Sequence, residues 1–236
     1  MERYEQLRDL LSSMNWVELS HTMENGMPMP GDLSKYYHDL WSSYELGDGS
    51  LSYQCILNEH DGTNVDAPAH MLGADSGTHI FIEENPAQLY SFPCAIILLD
   101  ESSDRSFITP EDIKVWEEKH GSLRPGEGVF FRTGWDRKWK TWDPSQEFIH
   151  NWPGLSAEAT SYLSSREIAA VGTDCLSIDS FSSEGCPAHK CLLQRNIPIF
   201  ENLNQLDCLP ARCYVLSLPL LIREGTASPV RVVALT

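Results

Sequence analysis

Leu7, Leu10, Leu11 and Met14 recur at the intervals of three and four that line one side of a helix, so an amphipathic helix is expected over residues 1–14. Residues 16–20 read as a short strand, and residues 24–32, crowded with Gly and Pro, as a loop. Strands are predicted at 52–57 and, as a short apolar run, at 95–99. Thr109, Pro110, Glu111 and Asp112 then form a helix start. A hydroxyl caps the first turn, a proline takes a position whose N–H has no partner, and two acids sit at the positive end of the helix dipole. That helix should run to about His120, where Gly121 can end it. Further strands are expected at 128–135, running into a Gly-Trp corner, and at 168–172, 197–200, 213–218 and 230–235, with a short helix opening at Ser156. Helices and strands alternate irregularly and no repeat recurs, which predicts an α/β or α+β fold with residues 1–236 as one domain.

Charge narrows the functions available. With 34 acidic against 17 basic residues the formal charge is -17, so a nucleic-acid backbone, which needs clustered Lys and Arg, is excluded as an expected partner. No stretch reads as a signal peptide or is apolar for long enough to span a bilayer, and the expectation is a soluble cytoplasmic protein acting on a small molecule, with no membrane partner. The seven cysteines, an odd number without CxxC pairs, are expected to be reduced and to serve as small buried groups.

One segment stands apart from the core pattern: His60-Asp61-Gly62-Thr63-Asn64-Val65-Asp66-Ala67-Pro68-Ala69-His70. Gly and Pro argue against a continuous helix here. On an extended strand His60, Asn64, Asp66 and His70 would share one face, and imidazole with carboxylate is an ordinary ligand set for zinc, manganese or iron. A polar turn with surface histidines is the plainer alternative. Ligands from elsewhere would complete a metal site, with Asp174, Asp179, Glu184, His189 and Glu201 as candidates, and residue type alone does not choose among them.

The segment resembles the His-x-Gly-Thr-His-x-Asp-x-Pro-x-His pattern of the cyclase-like metal-dependent hydrolases, the family of the bacterial kynurenine formamidases and isatin hydrolases. Every fixed position agrees except Asn64. The resemblance extends through Leu19-Ser20-His21, Pro28-Met29-Pro30-Gly31, Arg132-Thr133-Gly134-Trp135, Gly172-Thr173-Asp174, His189-Lys190, Glu201-Asn202-Leu203 and Ser228-Pro229-Val230-Arg231, and so covers nearly the whole chain. It implies a compact α/β domain of the swivelling β/β/α type, assembled as a homodimer or homotetramer. In its two-metal form it implies that His60, Asn64 and Asp66 hold one ion and that Asp66, His189 and Glu201 hold the other, with His70 as proton donor and acceptor. The implied activity is hydrolysis of a small amide, meaning a formamide, a cyclic amide or an isatin-like lactam, by metal-activated water with manganese or zinc as cofactor. Lactone hydrolysis, a cyclase or lyase reaction, and a silent ligand-binding member are the alternatives.

Two departures give this chain its own expectations. An amide oxygen at Asn64 is a weaker and harder ligand than imidazole, so one strongly held ion is expected, biased toward manganese. Met29 stands where the formamidases carry a tryptophan against substrate, which makes N-formylkynurenine a less suitable substrate and leaves a more adaptable surface. His21 is paired with Met29 as a candidate substrate contact, with a structural hydrogen bond as its alternative. Trp41, Phe81, Phe131 and Trp135 are candidates for an apolar pocket or simply for core, His79 for a structural role, and His38, His120 and His150 for the surface.

Overall fold

Strands buried on both faces dictate the architecture. The computed structural model describes residues 2–30, 35–100 and 105–236. Its helices are α1 (Arg3–Ser13), α2 (Pro110–His120), α3 (Ala157–Ser164) and α4 (Pro187–Leu193). Its strands are β1 (Trp16–Glu18), β2 (Tyr37–Ser42), β3 (Ser52–Ile56), β4 (Asn64–Asp66), β5 (Ser91–Leu98), β6 (Phe107–Ile108), β7 (Gly128–Arg132), β8 (Gly154–Leu155), β9 (Ala170–Thr173), β10 (Ile199–Glu201), β11 (Arg212–Ser217), β12 (Ala227–Pro229) and β13 (Val232–Leu235). Nine of them form one mixed sheet in the order β1-β13-β11-β5-β7-β9-β10-β4-β12, parallel from β5 through β10 and antiparallel elsewhere.

Period-two alternation sorts the central strands between two cores. Ala95, Ile97, Val129, Phe131, Val171 and Ile199 pack with Ile113, Trp116, Ala159, Leu163, Leu192 and Leu193 of α2, α3 and α4. The intervening Cys94, Ile96, Phe130 and Phe200 join Leu19, Val215, Val232 and Ala234 in a second cluster on the other face, enclosed by the curl of the sheet. Each fully buried Val, Leu, Ile or Phe among them contributes roughly 1.5–3 kcal/mol through removal from water. The result is an α/β domain built on one mixed sheet, the α/β alternative of the sequence reading.

Local chemistry explains where the expectations held. Thr109 and Asp112 cap α2 reciprocally, Asp112 Oδ2 accepting from Thr109 N at 2.8 Å, with Pro110 in the first turn and Gly121 at the end with φ of 82°. Strand β5 begins four residues before the expected start and runs through Pro93. Pairing to β7 starts only at Cys94, so the proline lies where the sheet is open on one side. Helix α1 forms where expected but buries none of its residues, leaving Tyr4, Leu7 and Leu10 exposed. The loop expected over 24–32 is irregular through Pro30; Gly31, Asp32 and Met1 lie outside the described residues.

The strand reading of the 60–70 segment requires correction. Only Asn64 to Asp66 are strand: Gly62 turns the chain before it with φ of 63°, and Pro68 starts a 3-10 turn that carries His70. Alternation therefore aligns Asn64 with Asp66 alone, and the histidines reach the same place from either side. Among the described residues no helix is long and apolar enough to cross a membrane.

Strand β8 holds the backbone behind this region at closest approach, with Leu155 N donating to Ile178 O at 2.9 Å. A Cβ on Gly154 would lie 2.0 Å from Ser180 N and 2.3 Å from Asp179 C, both backbone atoms. Gly154→Ala is expected to destabilise the fold by about 1–3 kcal/mol and to displace residues 178–180, read as a lowered urea midpoint with unchanged slope.

Candidate metal centre

Sheet register brings together residues far apart in sequence. In the antiparallel pair β10 and β4, Glu201 lies opposite Asn64 and Ile199 opposite Asp66, so Asn64, Asp66 and Glu201 project from one face. That is the face on which α4 packs, and α4 delivers His189. Its Nε2 lies 3.2 Å from Asp66 Oδ2 and 3.2 Å from Glu201 Oε1. His60 Nδ1 approaches the other oxygen, Asp66 Oδ1, at 3.2 Å. His70 completes the group: its ring centroid is 4.2 Å from that of His60 and 5.8 Å from that of His189. Ligand atoms of Asp66, His189 and Glu201 fall within 4.8 Å of one another, as do those of His60, Asp66 and His70.

Behind His189 stands Asp179. It accepts the Ala188 and His189 backbone N–H groups at 2.8 and 3.0 Å, and its Oδ2 lies 2.7 Å from His189 Nδ1. A carboxylate on one ring nitrogen orients the imidazole and aims the other nitrogen, here at Asp66 and Glu201, the arrangement that backs metal-ligating histidines. Asp179 was one of five downstream candidates in the sequence, and no local signal distinguished it.

Electrostatics test whether a cation fits. Asp66, Asp179, His189 and Glu201 are all buried, with Asp66 1 % and His189 3 % exposed. Burial acts against charge on each of them, yet His60, His189 and His70 hold Asp66 below the usual carboxylate range, and Asp179, Asp66 and Glu201 hold His189 well above the usual imidazole range. Glu201 is pushed up by burial and by Asp66. Three carboxylates thus converge on one imidazole that must carry positive charge to join them. A divalent ion satisfies the same acceptors with more charge and lets His189 bind as a neutral ligand. The donor set fits such an ion.

Other expected residues lie elsewhere. Asp174 is buried at the end of β9, where it accepts the backbone N–H of Thr133, Gly134 and Trp135 and the Thr133 hydroxyl at 2.7–3.0 Å; burial pushes its carboxyl up to about 6. It clamps a corner and is not in the cluster. Glu184 is likewise outside the grouped ligand atoms. Met29 lines an apolar cavity with Met27, Tyr36, Trp142 and Phe148, while His21 borders a second cavity with Thr63 and Val230 and stacks on Trp139 at 4.1 Å. The link from His21 to the motif is Thr63, whose hydroxyl accepts from His21 N at 3.0 Å and donates to Asn202 O at 2.6 Å. Phe131 is core, Trp41 is exposed, and His79 bonds Leu72 O through Nδ1 at 2.6 Å, a structural role.

Comparison with known proteins supplies an independent line. A family profile described as putative cyclase matches residues 17–180, more than half of the chain. An isatin hydrolase of Roseibium aggregatum is 34% identical over 191 residues, spanning 76% of this chain and 73% of that protein. A kynurenine formamidase of Bacillus cereus is 29% identical over 225 residues, spanning 94% and 98%. The solved structure of isatin hydrolase A from Labrenzia aggregata bound to benzyl benzoate superimposes with a TM-score of 0.87 at 27% identity, covering 100% of this chain and 99% of that one.

Asp179→Asn is expected to weaken divalent-ion affinity about 10- to 100-fold while the fold persists, measured by calorimetric titration. His21 gives a pH signature. Burial lowers its imidazole from 6.5 to about 4, so the folded chain binds fewer protons than the unfolded one between those values. Its contribution to stability is complete above about 6.5 and is lost as pH falls to about 4, and His21→Phe should flatten that part of the Tm profile relative to the unaltered chain.

Proposed function

This chain belongs to the cyclase family, and from that premise we propose that it is a metal-dependent hydrolase opening the C–N bond of a small formamide, cyclic amide or isatin-like lactam. The observation that carries the reading is the convergence of Asp66, His189 and Glu201 at one point, with His70 beside it. Asp66, His189 and Glu201 would hold the cation, and His60 and Asn64 flank the other oxygen of Asp66. A mixed imidazole and carboxylate set suits manganese or zinc. When bound, the ion supplies Lewis-acid polarisation of the amide carbonyl and acidifies water.

His70 moves the proton. Burial, with His60 and His189 close by, lowers its pKa against the pull of Asp66, so it is neutral near pH 7 and able to accept. As the water oxygen bonds to the carbonyl carbon, His70 takes the proton and returns it to the nitrogen as the C–N bond breaks. Asp66, whose carboxylate lies within 4.8 Å of the His70 ring nitrogen, stabilises positive charge on His70 and so keeps the protonated form accessible. Met29, in its apolar cavity, and His21, whose buried Nε2 has no hydrogen-bond partner among the described residues, are assigned to substrate contact. Seven free thiols support a reducing cytoplasmic setting, and a homo-oligomeric assembly completes the proposal.

The test is turnover of a panel of formamides, lactams, cyclic imides and lactones by manganese- or zinc-loaded protein in oxygen-18 water. Hydrolysis places the label in the product acid, whereas label-free turnover would assign a cyclase or lyase reaction instead. His70→Ala should retain its metal and lose about 10²–10⁴-fold in kcat, the range of general acid–base catalysis, whereas Asp66→Ala should lose both metal and turnover.

A further inference from the structure

Asn64 occupies the position where the resemblance expects a ligating histidine, and its neighbours decide which of its atoms faces the cluster. Asn202 Nδ2 donates to the backbone oxygen of Gly62 at 2.7 Å. A carbonyl oxygen only accepts, so that end of the Asn202 amide is its NH2 group. The same NH2 reaches Asn64 Oδ1 at 3.3 Å, which makes this end of the Asn64 amide the oxygen. Its other end, Nδ2, therefore points at the cluster and donates to Asp66 Oδ1 at 3.2 Å.

Reversal is costly at each link. Turning Asn202 over would set its oxygen against that of Gly62, and turning Asn64 over would set oxygen against the Asp66 carboxylate and NH2 against NH2. The arrangement persists although it leaves Asn202 Oδ1 buried without a hydrogen-bond partner among the described residues. Asn64 is 0 % and Asn202 2 % exposed, so water does not compete for these groups. An amide NH2 group has donors and no acceptor to offer, and does not ligate a cation.

The two oxygens of Asp66 are consequently divided. Oδ1 faces Asn64 Nδ2 and His60 Nδ1, both at 3.2 Å; Oδ2 faces His189 Nε2, with Glu201 Oε1 beyond it. We propose that Asn64 is a hydrogen-bond donor that positions Asp66 and not a metal ligand, so that this chain holds one tightly bound divalent cation, on Asp66, His189 and Glu201. A second ion on the His60 side would have to displace the Asn64 hydrogen bond and would gain no ligand from residue 64. The inference rests on the metal-dependent reading of the site and concerns where and how many ions that site takes.

Metal content and manganese(II) electron paramagnetic resonance test it without reference to turnover. Protein purified without chelator and dialysed should carry about one ion per chain, with the six-line spectrum of an isolated manganese ion. Asn64→His and Asn64→Asp, each of which offers a ligand atom at the same place, should raise the content to about two and broaden the spectrum by exchange coupling. Two tightly bound ions in the unaltered chain would overturn the proposal, as would both variants folding and remaining at one. The unaltered chain alone decides the count, so a variant that fails to fold leaves the proposal exposed to refutation. One bound ion with no hydrolysis of any substrate tells against the hydrolase reading and leaves this inference standing; no bound ion overturns both.

Discussion

Negative charge gathered where water does not reach is the constraint on which this structure depends. Asp66, Glu201 and Asp179 all meet His189 within 3.2 Å, and all four side chains are buried. Breaking one partner out of such a group leaves an uncompensated buried charge, at a cost of about 3–5 kcal/mol. The surrounding elements therefore have to hold their places. Pairing of β10 with β4 sets Glu201 beside Asp66, the N-terminus of α4 sets His189 over both, and β8, with a glycine at the point of contact, holds the backbone from which Asp179 reaches the helix. Scaffold and site are one set of contacts.

A second buried carboxylate follows different rules. Asp174 meets the backbone and hydroxyl donors of residues 133–135 and the adjoining Cys175 thiol, with no imidazole partner among the described residues. The same loop continues to Trp139, against which His21 stacks, and Thr63 fastens the His21 backbone to the motif. One aspartate thus orders a loop beside the site while another, of the same residue type, forms the centre of the site itself. What separates them is the company each keeps, and this also explains why Asp174, equally plausible in sequence, belongs to the scaffold.

Much of the chemistry was legible from residue type and spacing. His60, Asp66 and His70 declare a cluster because imidazole and carboxylate so concentrated serve no apolar core, and the caps of α2 and the two-sided apolar strands declare themselves because their causes lie within a few residues. The strand reading of the whole 60–70 segment failed for an equally local reason, the Gly62 turn and the Pro68 break. His189 and Glu201 were two of five downstream candidates and were singled out only through resemblance to a family, since a lone histidine ahead of a leucine pair and a lone glutamate after an apolar run look like many others.

From the sequence alone came an α/β or α+β class, an acidic charge balance and a concentration of histidine and aspartate, because hydrophobic period, charge and turn chemistry act over neighbouring residues. Tertiary structure alone decided that Glu201 stands opposite Asn64, that Asp179 backs His189, and that Asn202 turns the Asn64 amide so that its nitrogen, not its oxygen, meets Asp66. Those facts depend on strand register and on hydrogen bonds between groups up to 140 positions apart, and the direction of an amide is set by the acceptor that folding places behind it.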